Sequence, residues 1–78
     1  MTTRGYVLIE VAGEKATHVA QAVGKIDGVT SVHAVTGPYD VIAQIEAPDM
    51  KSLGNIILTQ VRAISGIHKT LTCVAIDD

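Results

Sequence analysis

Two short stretches, Ile26-Asp27-Gly28-Val29 and Ile64-Ser65-Gly66-Ile67, constrain this chain more than any other feature. Each closes a segment with helical spacing and leads straight into a β-branched run. Glycine is the usual residue where a chain leaves a helix through a left-handed turn. Each helical segment is itself preceded by a strand-like run, ending in Ile9-Glu10-Val11 in one half and Ile45-Glu46-Ala47 in the other. The chain thus states strand, helix, glycine turn and strand twice. That order, β-α-β-β-α-β, is the split β-α-β of a ferredoxin-like fold. Right-handed crossovers then place both helices on one face of a four-stranded antiparallel sheet, an α+β domain.

The segments follow from local chemistry. Residues 5–11 are rich in β-formers and are broken by Gly13 and Glu14. From Lys15 to Lys25 the apolar residues Ala16, Val19, Ala20 and Val23, followed by Ile26, recur at helical spacing. Residues 29–36 and 39–47 read as strands joined by Gly37-Pro38, and strands joined so closely are antiparallel neighbours. Asp49 is a good N-cap for a second helix whose expected apolar face is Met50, Leu53, Ile56, Ile57, Val61 and Ile64. Residues 67–76 form the last strand.

The 78 residues suffice for one domain spanning 1–78. A domain of this size buries only about 60% of its unfolded surface. Hydrophobic residues make up 47% of the chain, yet there is no Trp or Phe. Such an aliphatic core gains from a partner surface. The alternation says where: Val7, Ile9 and Val11 share one face of the first strand, and Tyr6, Leu8 and Glu10 the other. The second face of the sheet mixes Leu8, Ile42 and part of the last strand with polar groups, where a face open to water should alternate cleanly. The expected partner is a second copy, in a homodimer that packs sheet against sheet.

Other functions find little support. The net charge is −2, and six scattered cations make no stripe for a phosphate backbone, so no direct nucleic-acid contact is expected. No run approaches the roughly 20 apolar residues of a membrane span, and the N-terminal run is too short for a signal sequence. A cytoplasmic location is the expectation. His18, His33 and His68 are placed on a helix and on opposite edges of the sheet, so no metal site is expected, nor any cofactor. Cys73, the one cysteine, reads as a buried, inert thiol in an apolar strand. No nucleophile is visibly paired with a base, and a non-enzyme is expected.

The order of elements, with Thr36-Gly37-Pro38-Tyr39-Asp40 between the middle strands, Pro48-Asp49 opening the second helix, and Ile64-x-Gly66-Ile67 leading into a threonine-bearing last strand, resembles the effector domain of Lrp/AsnC transcriptional regulators, the RAM domain. The likeness runs over essentially the whole chain. Only MTTR precedes residue 5, where those regulators carry a helix-turn-helix domain, so the sequence resembles the stand-alone form of the domain. The resemblance implies binding of a small amino-acid effector where dimers meet, assembly into higher oligomers, and partnership with a full-length Lrp/AsnC regulator.

It also implies a site at the loop: Thr36, Gly37, Pro38, Tyr39 and Asp40, with Thr70 and Thr72 from the last strand. An amino acid needs donors for its carboxylate and an acceptor for its ammonium group. Backbone at Gly37 and the threonine hydroxyls can supply the first, and Asp40 the second, with Tyr39 packing on the ligand body. Each has a plainer role as well: Gly37-Pro38 as a turn, Asp40 as a cap of the loop backbone, Tyr39 as interface packing. Two other classes share the fold. Dimeric α+β barrel enzymes, monooxygenases or isomerases, use a pocket between sheet and helices. ACT domains bind amino acids at a loop after the first strand, here Ala12-Gly13-Glu14.

Overall fold

The computed structural model describes residues 2–13 and 15–77, so Glu14, the second half of the expected break after the first strand, lies outside the described residues. The elements are β1 (Thr3–Val11), α1 (Ala16–Gly24), β2 (Val29–Ala34), β3 (Val41–Ala47), α2 (Met50–Ile56) and β4 (Ile67–Val74). A π-helical turn, Ile57–Val61, extends α2. The strands form one antiparallel sheet in the order β2-β3-β1-β4. This is the β-α-β-β-α-β arrangement expected from the repeat.

Gly28 and Gly66 both have left-handed backbone, with φ of +102° and +94°. Gly28 has a second constraint. A Cβ there would lie 3.1 Å from the Glu46 carbonyl oxygen and 3.2 Å from Ile56 Cδ1. Absence of a side chain lets β3 close on this turn, where the Glu46 N–H donates to the Gly28 carbonyl at 2.8 Å.

The core lies between sheet and helices: Val7 and Ile9 from β1, Val41, Ala43 and Ile45 from β3, Val19 and Val23 from α1, and Leu53, Ile57 and Val61 from the second helical segment. α1 packs over β2 and β3, and α2 over β3 and β1. The π turn explains how three residues at spacing four all reach the core. Along an unbroken α-helix, every fourth residue drifts by about 40° around the axis. The Arg62 N–H reaches back five residues to the Ile57 carbonyl at 3.0 Å, and this wider turn takes up the drift. The Thr59 hydroxyl donates to the Asn55 carbonyl at 2.7 Å, the acceptor that Thr59's own N–H would use in an α-helix. Met50, expected on the apolar face, is instead 59% exposed. It belongs to the neighbouring outward stripe Met50, Gly54, Leu58.

Asp49 caps α2 as expected, its Oδ1 accepting from the Ser52 N–H at 2.7 Å. Hydrogen bonds from the backbone and side chain of Ser52 hold its carboxyl below the ordinary value of 3.8. A depressed carboxyl stabilises the fold fully above its unfolded-state value and loses that effect as pH falls through the folded-state value. Asp49→Ala is expected to lower Tm by about 5 °C at neutral pH. The difference from the parent should close in acid, which thermal melts across pH would show.

Candidate functional site: the outer sheet face and the loop 35–40

Strand register fixes which side chains share the outer face, away from the helices. Cross-strand partners point to the same side of a sheet. One row runs His33, Ile42, Leu8, Leu71 across all four strands; the next runs Ser31, Gln44, Tyr6, Cys73. Leu71 is 46% exposed and Leu8 and Ile42 are half-buried. Polar contacts flank this apolar strip: the ion pair of Arg4 Nε with Glu46 Oε2 at 3.6 Å towards one end, and His68 Nε2 3.7 Å from Glu10 Oε1 towards the other. The mixed second face inferred from the sequence is thus an apolar band between charged rims. Cys73 stands on it and is exposed, not buried as expected. Its strand is apolar, but its parity matches Tyr6, on the side no helix covers.

The connection between β2 and β3 is longer than a tight turn. The sequence pattern carries β2 to residue 36 and starts β3 at 39; in the structure they stop at Ala34 and start at Val41. The loop is tied at its end by Asp40. Its N–H donates to the Ile9 carbonyl at 2.9 Å, its carbonyl accepts from the Val35 N–H at 2.8 Å, and its Oδ2 accepts from the Val11 N–H at 2.9 Å. The carboxylate is needed there because the register of β1 with β4 slips between Glu10 and Val11. Val11 lies beyond the last β1–β3 pair, Ile9 with Val41. A side chain thus finishes what the sheet ladder leaves undone, and Oδ1 makes no hydrogen bond to the other described residues.

Between this loop and the outer face lies a hollow of about 430 Å³ lined by Leu8, Val35, Thr36, Gly37, Pro38, Tyr39 and Ile42. Small-molecule sites fall roughly between 300 and 1,000 Å³. Gly37 has φ of +144°, and a Cβ there would meet nothing within 4 Å, so its requirement is backbone conformation and not space. The N–H groups of Thr36, Gly37 and Tyr39 make no hydrogen bond to other described residues. Clustered free N–H groups in a loop can receive an anion such as a carboxylate.

The structure therefore brings Thr36, Gly37, Pro38 and Tyr39 together around one hollow, while Asp40, at the end of the loop, is not among the lining residues. It does not bring Thr70 and Thr72 there. They pair with Ile9 and Val7, so they face the helix side of the sheet, on an edge strand. Leu8, Val35 and Ile42 are lining residues that the loop pattern does not announce. The signal available was parity, since Leu8 and Ile42 are apolar residues on the side that polar residues should occupy.

Among the described residues no three His, Cys, Asp or Glu side chains gather as a metal site, and no helix is long and apolar enough to cross a membrane.

Comparison with known proteins places this arrangement. Residues 4–78 match the family model of the Lrp/AsnC ligand binding domain. An HTH-type transcriptional regulator of Pyrococcus furiosus is 33% identical over 76 residues, 94% of this chain and 51% of the relative. The chain spans about half the length of the regulators it matches. A homocitrate synthase of Sulfolobus acidocaldarius is 38% identical over 56 residues, 72% of this chain but 12% of the enzyme. Among solved structures, TTHA0845 from Thermus thermophilus superposes with a TM-score of 0.90 at 26% identity, covering 97% of this chain and 95% of that one. The regulator NMB0573 of Neisseria meningitidis, in complex with L-Met, superposes at 0.85 with 20% identity, over 97% of this chain and 51% of that one. The match over nearly the full length, together with the shared fold, makes this chain a member of the Lrp/AsnC ligand-binding domain family.

Proposed function

We propose that this chain is a non-catalytic sensing module that binds a small amino acid in the hollow beneath residues 35–39 and self-associates through its outer sheet face. The observation that carries the reading is the hollow itself, with free loop N–H groups at one side and an apolar floor at the other. That pairing suits a ligand with a carboxylate and a side chain. The hollow opens onto the outer face, so a second copy packed there would help to enclose the ligand, and further dimers could meet over the loop. The amino acid in the Neisseria complex supports the ligand class. The regulators support a link to transcription through a helix-turn-helix partner, in the cytoplasm. The homocitrate synthases, which carry a similar stretch in a small part of their length, support a module joined to more than one kind of machinery.

Calorimetry with the common amino acids, paired with light scattering, tests this. Gly37→Val strains the loop without a clash, so it is expected to abolish binding while leaving Tm within a few degrees. Asp40→Ala should cost roughly 2 kcal/mol of stability through the orphaned Val11 N–H. Asp40→Asn keeps an acceptor for that N–H and so retains stability, but loses the charge an ammonium group would seek. Unchanged affinity in both Gly37→Val and Asp40→Asn would remove the loop from the site.

A further inference from the structure

We infer that the hollow selects amino acids with uncharged, aliphatic side chains, and that Leu8, Val35 and Ile42 are the residues that impose this choice. The inference rests on the loop being the amino-acid site and goes further, to the class of ligand. None of the residues lining the hollow is charged. The charges nearest to it lie outside the lining: Glu10, opposite Lys69 and 3.7 Å from His68, and Asp40, whose Oδ2 holds the Val11 N–H at 2.9 Å. The loop N–H groups and the Thr36 and Tyr39 hydroxyls suit the α-carboxylate, and the Asp40 carboxylate at the end of the loop suits the ammonium. The floor is Leu8 and Ile42, neighbours across β1 and β3.

A ligand held by its α-groups on the loop thus lays its side chain on two aliphatic residues. A charged side chain seated there would lose water and gain no partner, and discrimination against it should reach about 100-fold or more. Each added methylene on an aliphatic ligand should tighten binding by about fourfold.

The test is calorimetry on the full chain with alanine, valine, leucine, glutamate and lysine, with Ile42→Ala as the variant. Affinity should rise from alanine through valine to leucine, and glutamate and lysine should bind at least about 100-fold more weakly than leucine. Ile42→Ala should weaken leucine binding by about tenfold while changing alanine binding by less than about threefold, a split that a folding defect would not make. Leu8→Ala gives the same split should Ile42→Ala fail to fold. Tight binding of glutamate or lysine that is lost in Gly37→Val would overturn the selectivity and leave the loop site standing. Absence of binding by any amino acid would overturn both.

Discussion

Leu53→Ala is expected to destabilise the fold by roughly 3–4 kcal/mol, a large part of what so small a domain has. Leu53 is 1% exposed and sits where α2 crosses the sheet. Its Cδ2 lies 3.0 Å from where a Cβ of Gly5 would be, so it seats directly on the backbone of β1. Truncation leaves a void that neither the strand nor the helix can fill without breaking its own hydrogen bonds. Leu58, one turn and a residue further along, is 64% exposed. Leu58→Ala should change stability by less than about 0.5 kcal/mol. Urea denaturation of the two variants side by side gives the comparison. Equal losses would mean that the π turn does not set the facing of this helix.

Leu71→Asp is expected to turn the proposed dimer into a monomer, weakening association at least about 100-fold, or roughly 3 kcal/mol. Leu71 ends the apolar row His33, Ile42, Leu8, Leu71 and does not line the hollow. In the proposed dimer, a carboxylate placed there would lose water against the partner's sheet. Leu58→Asp, on the helix side, serves as the comparison and should leave the dimer intact. Sedimentation or light scattering at several concentrations reads both. A dimer that survives Leu71→Asp and dissociates with Leu58→Asp would move the interface from the sheet to the helices.

How far such results could be anticipated from sequence depends on the range of the forces involved. Gly28 and Gly66 act locally, and so the two helix ends and the whole element order were legible. The Asp49 cap was legible for the same reason. Met50 was misplaced because its spacing of three from Leu53 assigned it to the core stripe, whereas it stands exposed on the neighbouring stripe with Gly54 and Leu58. Cys73 was misjudged because an apolar strand has two sides and only one carries helices. The site divides in the same way. The loop residues 36–40 became candidates through their resemblance to a family pattern. Strand parity had already put Leu8 and Ile42 on the second face, and the register that sets β1 beside β3 made them neighbours under the loop. Thr70 and Thr72 needed that register too, and it turns them to the other side of the sheet.

The π turn also bears on how this chain tolerates change in length. Within an ordinary helix, loss of one residue rotates everything downstream by about 100° and carries buried side chains into water. Here the wider turn already holds one residue more than an α-helix would. Removing Thr59, whose hydroxyl holds the Asn55 carbonyl, would let the segment relax to regular winding. The ridge of Leu53 and Ile57 would keep its place, and only the last half-turn before Gly66 would have to adjust. A single-codon deletion, commonly the harshest lesion a helix can suffer, is expected to be comparatively mild at this point of the chain.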